Sequence, residues 1–290
     1  MTRDAGLGRI NRREWLTAAG ALAGASAVGY TSLSRGDEGT PEGPFKLGLQ
    51  SYSLRGLVKD GKPDLALALE ATKELGVHYW EAFPAHVPLE GPSRGGGPVK
   101  AAMDAAKVTL AGYGVVPLGL DAAANRQFFE FAKRMGIEYL SADPDPKAMD
   151  GIDRLIEAYG IGVGIHNHGP GHRYSSIESI KKVIDGHHPK MGCCIDTGHF
   201  LRSKIDPVDA AMAFAGRTYG VHLKDVKNAE TFTILGKGDL RLVDLLKVLA
   251  KEKYHYCLAI EYEENPDKPM DDLKACLATA RHAIAEVAKA

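Results

Sequence analysis

Gly162-Val163-Gly164-Ile165-His166-Asn167-His168 decides how this chain is read, because its pattern returns three times further on. Cys193-Cys194-Ile195-Asp196-Thr197-Gly198-His199 follows, then Val221-His222-Leu223-Lys224-Asp225, then Leu258-Ala259-Ile260-Glu261-Tyr262-Glu263. Each segment is a short apolar run that ends in a residue able to ligate a metal. Each reads as a β-strand, and a predicted helix separates it from the next. Side chains alternate across a strand, so residues i and i+2 share a face. Gly162, Gly164 and His166 fall on one face, with His168 continuing it. Gly192, Cys194 and Asp196 form the second such set, and Gly220, His222 and Lys224 the third. Cys257, Ala259 and Glu261 form the fourth, with Glu263 beyond. Small residues precede a polar one each time. The other face carries Val, Ile and Leu, as a face covered by helices requires.

The same alternation extends toward the N-terminus. Strands are expected at 46–50, 77–82, 113–118, 137–142, 161–166, 191–196, 218–224 and 256–261. Helices are expected at 64–75, 99–109, 122–135, 147–159, 176–184, 207–214, 240–251 and 270–289. A Pro/Gly-rich loop over 84–98 is long enough to serve as a lid. Strict βα alternation implies a parallel sheet with right-handed crossovers. Eight of each predicts an α/β chain built as a single (β/α)8 TIM barrel over residues 45–290, with its site at the C-terminal strand ends. An open doubly wound sheet would want a glycine-rich turn after its first strand, and Gln50-Ser51-Tyr52-Ser53 supplies none.

Bulk properties narrow the class. The chain has 290 residues and a net charge of −1. No basic surplus points to nucleic acid, and 44% apolar residues suit a globular core. The four cysteines, Cys193, Cys194, Cys257 and Cys276, contain no C-x-x-C pair, so they read as core thiols rather than a thiolate site. Residues 1–27 resemble a twin-arginine signal peptide. Asn11-Arg12-Arg13-Glu14-Trp15-Leu16 precedes an Ala/Gly-rich stretch, with Ala25-Ser26-Ala27 as a cleavage site. Residues 28–44 read as a linker. Export to the periplasm or another extracytoplasmic space is the expectation, with no stable membrane span after processing. A homo-oligomer is left open.

His166, Asp196, His222 and Glu261 form a mixed imidazole and carboxylate set, which suits Mn, Mg, Co or Zn. Open coordination positions would take substrate oxygens or water. Lys224, on the face of His222, is a candidate for polarising a carbonyl or holding an oxyanion. Glu81 ends the second strand as a candidate general base, and Glu261 is a catalytic candidate besides a ligand. His168 and His199 are expected to touch substrate, and His86, in the long loop, to close over it. The turn Leu235-Gly236-Lys237-Gly238-Asp239 is expected either to offer amides to substrate oxygens or to be a turn with Asp239 as N-cap.

At these motifs the chain resembles the sugar phosphate isomerase/epimerase superfamily, the xylose isomerase-like TIM barrels of the AP endonuclease family 2 type. The resemblance also draws on Gly48-Leu49-Gln50-Ser51-Tyr52-Ser53-Leu54-Arg55 and Tyr79-Trp80-Glu81-Ala82-Phe83. It implies that Asp196, His222 and Glu261 are metal ligands. Many members carry a glutamate on the fifth strand, where this chain offers His166. Histidines of the nuclease branch are missing from the early strands, which argues against DNA repair. The function expected is a metal-dependent sugar or keto-sugar isomerase or epimerase that abstracts a proton α to a carbonyl and stabilises an enediolate. A keto-sugar lyase or dehydratase on the same site is the alternative, ahead of a non-catalytic carbohydrate-binding barrel and of metal-assisted hydrolysis. A small-molecule sugar is the expected partner.

Overall fold

The computed structural model describes residues 43–89 and 96–289. The expected signal segment and most of the linker lie outside the described residues, as does the middle of the 84–98 loop. Eight parallel strands close a barrel: β1 (Lys46–Gln50), β2 (Tyr79–Ala82), β3 (Thr109–Val116), β4 (Tyr139–Ala142), β5 (Gly162–His166), β6 (Met191–Asp196), β7 (Thr218–Leu223) and β8 (Cys257–Ile260). Each strand pairs with its sequence neighbours, and β8 returns to β1 with Gly48 opposite Ala259. The helices are α1 (Leu65–Leu75), α2 (Gly97–Ala106), α3 (Ala122–Met135), α4 (Met149–Tyr159), α5 (Ile177–Ile184), α6 (Thr197–Arg202), α7 (Pro207–Ala213), α8 (Leu242–Lys251) and α9 (Met270–Val287). No described helix is long and apolar enough to cross a membrane.

Local chemistry ends most of these helices where it should. Asp64 and Asp121 cap α1 and α3 through side-chain bonds to Leu67 N and to Ala123 and Ala124 N. Gly76, Gly136 and Gly160 close α1, α3 and α4 in the left-handed conformation, which glycine adopts without strain. The largest departure from expectation lies between α2 and β3. The helix stops at Ala106 because Lys107 takes the left-handed cap, and the strand starts at Thr109 rather than at Tyr113. β6 is also followed by two helices rather than one, since α6 starts directly at the strand end. A hairpin of Asp225–Lys227 and Thr231–Thr233 adds a further element after β7.

The core has two layers. Outward strand residues such as Leu47, Trp80, Val163, Ile195, Val221 and Leu258 pack with the helices in one large cluster. Inside the barrel, Ala111, Tyr139, Tyr219, Cys257 and Ala259 form a separate plug, with Tyr79 and Tyr256 against it. Tyr219 breaks simple alternation. Between Cys193 opposite Thr218 and Ile195 opposite Val221, β7 carries one extra residue, so Tyr219 and Gly220 together face Cys194. Gly220 takes a positive φ of 92° there, and its missing Cβ leaves room for the Tyr139 ring. The bulge turns Tyr219 inward without changing the facing of His222, which pairs with Asp196.

Gly192 shows how closely the strands approach. A Cβ at this position would fall inside van der Waals contact of the Arg217 carbonyl, a backbone atom of the residue that leads into β7. Gly192→Ala should therefore destabilise the fold by about 3 kcal/mol, at the upper end for overpacked sites, read as a lowered denaturant midpoint. An unchanged midpoint would show that β6 and β7 can separate there at no cost.

Candidate metal centre

The site begins with Asp196, which is at once the last residue of β6 and the N-cap of α6. Its Oδ1 accepts from His199 N at 2.7 Å. Asn167 brackets the same residue, donating to Asp196 O at 2.9 Å and accepting from Asp196 N at 2.7 Å. The carboxylate is thereby fixed, with Oδ2 turned to the barrel axis. Thr197 secures the neighbouring strand: its hydroxyl donates to the Lys224 carbonyl at 2.6 Å and accepts from Lys224 N at 2.9 Å.

His166, Asp196, His222 and Glu261 meet as expected of a ligand set. All are buried or nearly so, and one ligand atom from each lies within 4.8 Å of the others. His166 Nε2 is 3.0 Å from His222 Nδ1 and 3.5 Å from Asp196 Oδ2. His222 Nδ1 is 3.0 Å from Glu261 Oε2. Three atoms of this group, His166 Nδ1, Asp196 Oδ2 and Glu261 Oε2, are buried without a hydrogen-bond partner. Buried carboxylate oxygens are seldom left so, and such a set of nitrogen and oxygen donors fits a divalent cation.

Lys224 lies among the same oxygens. Its Nζ is 3.0 Å from Asp196 Oδ2 and 3.1 Å from Glu261 Oε2, close enough to pair by charge though outside hydrogen-bond geometry, and it also meets Glu263 Oε1. Burial works against its charge, but the three carboxylates outweigh that and raise its pKa. Burial likewise pushes the Glu261 carboxyl up, and Lys224 with His222 overcomes this to bring it down to about 2. Burial opposes charge on His222 as well, yet Cys194, Glu81 and Glu261 carry its pKa well above the usual imidazole value. A field that holds a proton on that ring is one that would hold a metal ion.

Glu81 takes a different place from the mouth position expected of a general base. It is fully buried beneath His222, whose Nε2 lies 2.7 Å from its Oε1. Gln50 Nε2 at 2.9 Å, Tyr139 OH at 2.7 Å and the Ser141 hydroxyl also donate to it. With three donors at Oε1 and Tyr139 at Oε2, Glu81 orients His222 and leaves Nδ1 facing the cluster, the arrangement that carboxylates behind metal-binding histidines adopt. His86 is also corrected. It is 2% exposed, bonds Ser51 Oγ at 3.0 Å and packs on Phe83 and Trp80, so it does not close over the mouth. Burial pushes its pKa down to about 4. The turn at 235–239 gives the amides of Gly236 and Gly238 to Asp225, which also accepts from Leu240 N just beyond it, all at 2.8–3.0 Å. Asp239 accepts from Ala229 N, and Arg241 is the residue at the N-cap of α8.

His168 and His199 stand at the rim. Their rings lie 4.7 and 5.9 Å from that of His166. Burial, then neighbouring histidines, lowers the His168 pKa to about 3. For His199, burial outweighs the pull of Asp196 and brings the pKa to about 4. Both rings are therefore neutral at ordinary pH. Other contributors were absent from the candidate set read from the sequence: Gln50, Tyr139, Ser141 and Asn167 as positioning groups, and Phe232, which the 225–233 hairpin brings to 5.6 Å from His199. Strand parity held the signal for Glu263. Nothing in the sequence marked Phe232.

Elemental analysis of purified protein should find one divalent ion per chain. His166→Ala should lose most of it, and His168→Ala should keep it. Glu81→Gln should weaken binding about 10- to 100-fold. Full metal content in His166→Ala would remove that residue from the ligand set.

The xylose isomerase-like TIM barrel model matches residues 69–280. The rhizopine catabolism protein MocC of Rhizobium meliloti is 27% identical over 140 residues, 42% of this chain and 42% of that protein. An inosose dehydratase of Clostridium tetani is 25% identical over 139 residues, 41% of this chain and 46% of its own length. The chain thus spans less than half the length of these curated relatives. Among solved structures, an IOLI protein with a bound zinc atom superposes with a TM-score of 0.67 at 14% identity, covering 83% of this chain and 99% of that one. At that identity the likeness speaks for the fold alone. With well over half of the chain matched by the family model, the chain belongs to the xylose isomerase-like TIM barrel family.

Proposed function

We propose that this chain is a divalent-metal-dependent enzyme that removes the proton α to the carbonyl of a keto-sugar or cyclic keto-polyol and then eliminates the β-hydroxyl, a dehydration. The observation that carries this reading is Lys224, an ammonium group buried within the ligand cluster and shared by Asp196, Glu261 and Glu263. His166, Asp196, His222 and Glu261 would hold the cation, and two imidazoles favour zinc, cobalt or manganese over magnesium. When bound, the ion supplies polarisation of the substrate carbonyl and stabilisation of the negative charge that develops there.

The rest falls to this chain's own groups. Glu263 stands outside the ligand set, half-buried beside Lys224, where it can take the α-proton. Lys224 donates a proton to the departing oxygen, which leaves as water. One proton is taken and one given, and a C–H and a C–O bond give way to a C=C bond. Neutral His168 and His199 offer hydrogen bonds to hydroxyl groups at the rim. The dehydratases among the relatives support this reading, and the zinc in the IOLI protein supports the choice of ion. The twin-arginine-like segment supports an extracytoplasmic place of action.

Isomerisation or epimerisation, the outcome first expected from the motifs, shares the first proton transfer. It needs a second group to return the proton at another carbon or another face. Glu81, the candidate general base on the second strand, is spent on His222 with no exposed surface, which sets dehydration ahead.

In heavy water, the metal-loaded protein should place deuterium on the α-carbon of a ketose or inosose and release a product lighter by one water, both read by mass spectrometry. Lys224→Met should retain its metal and slow water loss by about 100-fold or more. Neither exchange nor water loss with any keto-sugar or keto-polyol would sink the proposal. Deuterium exchange with inverted configuration and no water loss would favour the epimerase.

A further inference from the structure

We propose that the substrate of this site carries a fixed negative charge, a carboxylate or a phosphate ester, and that the Arg202 guanidinium binds it at the rim. The inference rests on the proposed function of the same site and adds the substrate's class.

Arg202 is the last residue of α6, the helix that Asp196 caps. His199 lies one turn earlier on the same helix face. The guanidinium carbon is 5.1 Å from the centroid of the Phe232 ring, and Lys224 Nζ is 5.1 Å from that same centroid. The two cations therefore lie within one small-molecule length of each other, with the ligand cluster beside Lys224. A Cβ at Gly169 would come 3.2 Å from Arg202 Nη1 and 3.6 Å from His199 Nδ1. Glycine at this point keeps the approach to both groups open.

The other cations of the rim are committed. Lys224 pairs with Glu263 and Arg173 pairs with both oxygens of Asp143, at 3.1 and 3.2 Å. Arg55 spends its donors on the carbonyls of Tyr52, Tyr262 and Glu263. Arg202, half-buried, has neither a carboxylate nor a hydrogen-bond acceptor among the described residues. A role in closing its own helix is ruled out by geometry, because the terminal carbonyls are taken. His199 O and Leu201 O accept from Ser203 and Lys204, and Phe200 O accepts from Ile205. His199 Nδ1, beside it, is buried and also lacks a partner. A planar guanidinium fork next to an unpartnered imidazole nitrogen matches an anion with two or three oxygens, which Arg binds in paired fashion.

The test is calorimetric titration of the full, metal-loaded protein with matched pairs: D-glucuronate against D-glucose, and D-fructose 6-phosphate against D-fructose. One anion should bind at least about tenfold more tightly than its neutral partner. Arg202→Met should weaken that anion by about 10- to 100-fold, the range of a charge-assisted bond, and far more than it weakens the neutral sugar. Arg202→Lys should recover part of the loss. Whichever anion wins separates carboxylate from phosphate. Equal binding of anion and neutral sugar by the wild type, or equal weakening of both in Arg202→Met, overturns the inference. Arg202→Gln repeats the test if the Met variant does not fold. Deuterium exchange on neutral ketoses without any anion preference would leave the proposed function standing and remove only this extension. Failure of every sugar to bind or exchange removes both.

Discussion

The bond between Glu81 and His222 is the constraint on which this site depends. It joins β2 to β7 across the barrel axis, and neither strand is the other's neighbour. Gln50 from β1 and Tyr139 and Ser141 from β4 converge on the same carboxylate. A full negative charge in the middle of a protein is costly unless it is met by donors. Here burial alone would raise the Glu81 pKa, and His222 with two hydroxyl groups brings it down. The anion is thus secured below so that an imidazole can be aimed above. His166 and Glu261 meet that ring at Nδ1, each at 3.0 Å.

Above the ring, like charges gather. Asp196, Glu261 and Glu263 would repel one another across a few ångströms of poorly solvated space, and Lys224 is what makes their company tolerable in this state. Buried ion pairs of this kind add little net stability, because desolvation takes back most of the attraction. Their value lies in chemistry: the cluster keeps its charges in place for a cation and a substrate and does not relax by turning side chains outward. The caps and brackets from Asn167 and Thr197 serve that end. They hold backbone and carboxylate together, so that the site's precision comes from strand ends and not from loops.

Most of this was legible in the chain. Alternation gave the eight strands and their order, and two-residue parity gave the inward face of each ligand. Parity names a face but not a depth. Glu81 faces inward as expected, yet it sits one layer too low to reach substrate, and only the packing of Gln50, Tyr139 and Ser141 around it shows that. His86 failed differently: a loop position reads as exposed, and nothing in the letters foretells that Ser51 and two aromatic rings bury it. The start of β3 was missed because Lys107, a residue with no marked liking for the left-handed region, takes the cap that glycine takes elsewhere. Arg202 and Phe232 were invisible for a further reason. Their meeting depends on a hairpin and a short helix from different βα units, a contact no local pattern encodes.

The extra residue in β7 has one more implication. Because side chains alternate, the inserted position decides which residues of that strand look at the axis from that point onward. The bulge lets a tyrosine plug the floor of the barrel while His222 still meets Asp196 in register. Were all four residues Thr218–Val221 to pair in regular alternation without the bulge, strand composition and hydrophobic content would be untouched. Yet His222 and Lys224 would then turn toward the helices, and Leu223 would come to the axis. The phase of a single strand, as much as the identity of any ligand, is what keeps a polar centre in an otherwise apolar barrel.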